Sequence, residues 1–250
     1  MALLNDEGIK NIIIAGDIIH KIFTEIKNWD LRGMKTVALN DFIHKKIVSH
    51  SAKPAFLHYR GFPKSSCISL NDEVVHGIPD ERVIKDGDLV KVDIGVSYNG
   101  YIADAAMTFV VGSVSNDIVQ FIDITKKALK KGIAMARSGN RISDISRAIQ
   151  QTVEENDYSV VRELTGHGVG KKLHEEPMIP NFVANGFDPE LVPGMALAIE
   201  PMTNMGSFEV KTASNGWTIS TRDGSLSSHF EDTIIILKKG NLNATRVIED

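Results

Sequence analysis

The sequence predicts an α+β protein built as two related halves, and three observations lead there. Apolar residues recur at helical spacing in two separate pairs of segments, and each pair is followed by strand-like runs. One of those runs, Leu89 to Val111, is a hairpin that writes its own register. With 250 residues, 42% of them hydrophobic and 24% charged, the chain is long enough to bury a full core. We read residues 1–250 as one domain, with halves at about 1–112 and 113–240.

The first helix opens at Asn5, carries Asp6 and Glu7 in its first turn, and runs on an isoleucine-rich stripe to a break before Arg32-Gly33. Thr36 is read as the cap of a second helix through about Ser49, with Leu39, Phe42, Ile43 and Ile47 on its buried face. Strand-like runs follow at Phe56–Tyr59 and Ser66–Leu70. After the hairpin, Ser115 or Asn116 starts a third helix ending at Gly139, and Ser143 starts a fourth through about Asn156. The last hundred residues read as strands.

The hairpin carries the first chemical information. Asn99-Gly100 favours a two-residue type I′ turn, which pairs Tyr98 with Tyr101, Gly95 with Asp104 and Asp93 with Ala106. Asp93 and Asp104 then share one face on a diagonal, with Cβ atoms roughly 7 Å apart. Gly95, across from Asp104, is read as leaving space open beside such a site. Two carboxylates so placed suit one or two cations. Solvation on the open face of an antiparallel sheet is the alternative at this point.

The second half repeats the theme. Gly87 precedes Asp93 in G-D-L-V-K-V-D as Gly194 precedes Glu200 in G-M-A-L-A-I-E, and Asp104 has a counterpart in Glu231 of S-H-F-E-D-T-I-I-I-L. His76-Gly-Ile-Pro79 is matched by His174-Glu-Glu-Pro177. Asp93, Asp104, Glu200 and Glu231 thus lie within apolar strands, where an unpaired charge costs several kcal/mol. His167 adds an imidazole in T-G-H-G-V-G, whose glycines let backbones approach closely. Four carboxylates and one imidazole suit a pair of hard or borderline divalent ions. Taken singly, each has a bland reading: solvation, an ion pair with Lys or Arg, or a satisfied core histidine.

Other chemistries fit less well. His174-Glu175-Glu176-Pro177 lacks the second histidine of a helical zinc motif, and Gly166-His-Gly-Val-Gly170-Lys171 lacks the glycine spacing and hydroxyl of a phosphate loop. There is no G-x-S-x-G. A net charge of −4 gives no reason to expect DNA binding, and the lone Cys67 excludes an intrachain disulfide framework and fits a reducing compartment. With no signal-peptide pattern and no long apolar run, neither secretion nor membrane insertion is expected, and the cytoplasm is the expected location.

Taken in order, H-G-I-P at 76, V-D-I-G at 92, the N-G-Y turn with Asp104, G-H-G-V-G-x-x-L-H-E-E-P at 166, A-I-E-P-M at 198 and H-F-E-D-T at 229 closely resemble type I methionine aminopeptidases. The resemblance covers nearly the whole chain. It implies the pita-bread fold, a pseudo-symmetric antiparallel sheet covered by helices. It also implies that Asp93 binds one metal, His167 and Glu200 the other, and that Asp104 and Glu231 bridge them. The cofactor would be two divalent ions drawn from Co, Mn, Fe, Zn or Ni.

By the same resemblance, Glu200 is the general base beside a hydroxide that attacks the methionyl carbonyl, and His76 and His174 are catalytic residues at the substrate amine and the scissile carbonyl. Tyr59, Phe62, Cys67 and Trp217 would form the pocket for the methionine side chain. The substrates would be nascent polypeptides whose second residue is small, met at the ribosome, and a monomer is the expected state. Leu173 and Asp232 depart from the residues common in relatives, aromatic and histidine respectively, which bears on pocket shape and metal preference. No zinc-finger extension and no type II insertion between His174 and Glu200 are seen. The rival readings are a proline-specific peptidase of the same fold and a non-catalytic binding module.

Overall fold

Isoleucine stripes and nearby turn residues set the four helices of the computed structural model, which describes residues 3–248. Helix α1 spans Asp6–Lys27, and the Asn5 side chain accepts the Gly8 N–H as its cap. It ends well before Arg32-Gly33, at Asn28. Helix α2 spans Thr36–Ser49, but Thr36 is not its cap: Lys35 is, with no side-chain bond. The first N–H groups of α2 are taken instead by the carbonyls of Arg82 and Asp80, and the Thr36 hydroxyl donates to Asp80 O. A distant backbone segment thus does what a local side chain was expected to do.

Helix α3 spans Asn116–Met135 and stops short of Gly139, while α4 spans Ile142–Glu154 and begins one residue before Ser143. Phe56–Tyr59 is not a strand. The chain pairs only at Lys53–Pro54, then turns through left-handed His58 and Arg60 around the short 3₁₀ segment Tyr59–Gly61. Among the described residues no helix is long and apolar enough to cross a membrane.

Two sheets position the site. The first is centred on the hairpin strand Leu89–Tyr98, which has Tyr101–Val110 along one edge and Cys67–Leu70 and Lys53–Pro54 along the other. Its register is the one the turn dictates: Tyr98 opposite Tyr101, Gly95 opposite Asp104, Asp93 opposite Ala106. Asn99 and Gly100 both have positive φ, as a type I′ turn requires. The second sheet has five strands in the order Asn241–Asn243, Asp232–Ile236, Ala196–Ile199, Thr165–Gly168 and Glu175–Pro180.

The sheets meet along a seam. Thr233 Oγ1 accepts the Asp104 N–H at 2.9 Å and donates to Asp104 O at 2.8 Å, while Glu231 N donates to Ala106 O at 2.9 Å. Helices α1 and α2 pack on the hairpin side, and α3 packs against α4 beside the second sheet. Lys91, 1% exposed, donates through Nζ to Asn71 O and Ser227 O and so ties the hairpin to the strand that enters the site. Burial pushes its ammonium down to about 7.

Candidate metal centre and its cavity

Each half of the chain delivers two carboxylates to one place. Asp93 stands mid-strand opposite Cys67 on one side and Ala106 on the other, and Asp104 stands opposite Gly95. Glu200 follows directly after the strand Ala196–Ile199, and Glu231 directly precedes Asp232–Ile236; Asp232 pairs with Ile199, so the two glutamates fall at the next step of the same ladder. His167 lies opposite Ala198 on the neighbouring strand. Glycine is required beside it, because a Cβ at Gly166 would meet Ala198 O at 2.5 Å and one at Gly168 would meet Glu176 O at 2.3 Å.

The donors converge. His167 Nε2 lies 3.6 Å from Glu200 Oε1 and 3.9 Å from Asp104 Oδ2. Donor atoms of Asp104, His167 and Glu231 all fall within 4.8 Å of one another, as do those of Glu200, His229 and Glu231. Glu231 belongs to both groups. Asp93 makes its contact through Asp104.

The electrostatics show what this arrangement is suited to hold. Asp93, Glu200 and Glu231 are pushed well above the ordinary carboxylate range, first by burial and then by the neighbouring carboxylates, and burial lifts Asp104 to about 7. Burial pushes His167 down to about 3, so its proximity to the carboxylates is not an ion pair. Its Nδ1 lies 2.9 Å from Gly168 O, which fixes Nδ1 as the N–H and turns the Nε2 lone pair toward the carboxylates. Asp93 Oδ1, Asp104 Oδ1 and Glu231 Oε1 are buried without a hydrogen-bond partner. Buried lone pairs that face one another in this way fit divalent cations.

The cavity over this cluster, about 150 Å³, is lined by every residue the sequence pointed to: the five donors together with His76, His174, Tyr59, Phe62, Cys67 and Trp217. The volume is that of a void able to take a benzene-sized apolar group. Phe62 and Trp217 meet edge to face at 5.2 Å, and Tyr59 stacks on His174 with its hydroxyl 3.0 Å from Nδ1. His174 also tilts over the His167 ring at 4.2 Å. His76 has a left-handed backbone with φ 58°, and burial lowers it to about 4. Leu173 lines the wall and is buried. Asp232 points elsewhere: its Oδ1 accepts from Thr245 Oγ1 and Val247 N.

Two expectations change. Gly95 does not leave open space, because a Cβ there would meet the Phe56 ring at 2.5 Å; the glycine admits Phe56 as a cavity wall. His229, which the sequence reading passed over, stands with Glu200 and Glu231. Its signal was present, since His229 and Glu231 are two apart in the run S-H-F-E-D-T-I-I-I-L, and a period of two puts such residues on one face. Phe56 and Arg60 also line the cavity and carried no sequence signal, because their placement depends on the left-handed loop.

Comparison with known proteins agrees with this geometry. The profile of metallopeptidase family M24 matches residues 10–238. A methionine aminopeptidase of Clostridium perfringens is 46% identical over 238 residues, covering 95% of this chain and 96% of the relative. The crystal structure of methionine aminopeptidase from Thermotoga maritima superposes with a TM-score of 0.95 at 37% identity, covering 98% of this chain and 99% of the other. A prolidase from Pyrococcus furiosus shares the pita-bread fold at TM-score 0.78 and 24% identity, with 97% of this chain and 65% of that one covered. A profile that spans nearly the whole chain, and a relative almost half identical from end to end, place the chain in metallopeptidase family M24.

Proposed function

We propose that this chain removes the N-terminal methionine from polypeptides whose second residue is small, acting as a cytoplasmic monomer on nascent chains as they leave the ribosome. The carrying observation is one cavity with two chemistries: five buried metal-type donors on its floor, and a wall of Tyr59, Phe62, Cys67 and Trp217 suited to a thioether. Identity to methionine aminopeptidases far above that to the prolidase favours methionine over a proline-containing substrate. The retention of all five donors speaks against a binding module.

In this reading Asp93, Asp104, His167, Glu200 and Glu231 would hold two divalent cations. When bound, such ions polarise a carbonyl and make water acidic enough to yield a nucleophile near neutral pH. The protein's own groups do the rest. Glu200 takes the proton of the attacking water and returns it to the leaving amine. The Tyr59 hydroxyl lies 3.0 Å from His174 Nδ1; with the hydroxyl as donor, His174 would present Nε2–H to the scissile carbonyl, where negative charge develops. His76, neutral in its buried position, receives the substrate amine.

The test is direct. Purified protein supplied with Co²⁺ or Mn²⁺ releases methionine from Met-Ala-Ser and not from Met-Lys-Ser, and Glu200→Gln lowers kcat by about 10² to 10⁴-fold. Cleavage of Ala-Pro without cleavage of Met-Ala-Ser would overturn the substrate assignment.

A further inference from the structure

His229 closes the strand Ser227–His229 and pairs with Met202. Its backbone is clipped on both sides by the hairpin: its N–H donates to Thr108 Oγ1 at 2.9 Å, and that hydroxyl donates to His229 O at 2.8 Å. The His229 backbone is therefore held by the same strand that carries Asp104. It is 2% exposed, and its Nε2 has no hydrogen-bond partner.

That nitrogen faces carboxylates. Nε2 lies 3.4 Å from Glu200 Oε2, while the other oxygen of the same group, Oε1, lies 3.6 Å from His167 Nε2. Glu200 thus stands between two imidazoles. A ring nitrogen of His229 also falls within 4.8 Å of a Glu231 oxygen. A buried imidazole nitrogen left unbonded while it looks onto carboxylates is the arrangement of a ligand awaiting a cation.

We propose that His229 is a further metal ligand, offering Nε2 to a cation together with Glu200 and Glu231. This rests on the metallopeptidase reading above and deepens it. The pair of cations is then served by two imidazoles, His167 and His229, instead of one. A second nitrogen donor favours the borderline ions Co²⁺, Ni²⁺ and Zn²⁺ over Mn²⁺.

The experiment titrates metal-free protein with Co²⁺, followed by calorimetry and visible absorption, in the wild type and in His229→Gln. The wild type takes up two cobalt ions, and the variant weakens one of the two events about tenfold or more and shifts its ligand-field bands. The preference for Co²⁺ over Mn²⁺ narrows in the variant. X-ray absorption of the wild type loaded with two cobalt ions shows one imidazole per cobalt, a readout that needs no variant to fold. Unchanged binding and bands in His229→Gln, or half an imidazole per cobalt in the wild type, would overturn the assignment of His229 alone. A wild type that binds no cobalt would overturn it together with the metallopeptidase reading.

Discussion

The hairpin that carries Asp93 and Asp104 and the ladder that carries Glu200 and Glu231 do the same work by different routes. In the hairpin the two carboxylates are joined by a turn of Asn99 and Gly100, so local turn geometry alone sets which residues face each other. In the second sheet Glu200 and Glu231 come from strands separated by four others in sequence, and close backbone approach replaces the turn: Gly166 lets Ala198 O come near. The difference teaches that the first pair is specified locally and the second by packing. The second region is therefore the less forgiving one.

Substitutions sharpen that contrast. At Gly166 an added Cβ would strike backbone, which cannot swing away, so Gly166→Ala destabilises by about 3 kcal/mol or more in chemical denaturation. Across the seam, Thr233→Val leaves the buried N–H and C=O of Asp104 without partners; it costs about 2 kcal/mol by the same measurement and weakens metal binding in parallel. Equal losses for alanine at Gly166 and Gly95 would break the comparison, because at Gly95 the obstacle is the Phe56 side chain, which can rotate. There we expect about 1 kcal/mol.

Much of this was legible in the sequence for a physical reason. A two-residue turn leaves no freedom of register, so Asn99-Gly100 and the strand alternation placed Asp93 and Asp104 on one face before any fold was known. The glycines around His167 likewise announced close backbone approach. What escaped reading depends on partners far away in sequence. The start of α2 is satisfied by carbonyls from residues 80 and 82, so Thr36 was misread as a cap. Phe56 reaches the cavity only because the loop at His58 and Arg60 turns left-handed. His229 had its period-two signal, but nothing in the chain near it says that Glu200 lies opposite.

A further expected effect concerns protons. With Asp104 at about 7 and Asp93, Glu200 and Glu231 raised well above the ordinary range, the metal-free cluster holds protons at neutral pH that a cation must displace. The sign follows: affinity rises with pH from about 6 to 8, by up to about 1.4 kcal/mol per pH unit for each proton released. Calorimetry in buffers of different ionisation enthalpy reads that release directly. Uptake of protons on metal binding would contradict the burial-driven shifts.

One titration decides whether carboxylates from both chain halves serve common cations. Metal-free wild type, Asp104→Asn, Glu231→Gln and the double variant are each titrated with Mn²⁺ and Co²⁺. If the groups meet at shared ions, either single substitution weakens the same binding events, and the double variant loses much less than the sum of the two. If the losses simply add, with each substitution abolishing a separate event and sparing the other, the two halves hold independent sites and the account is wrong.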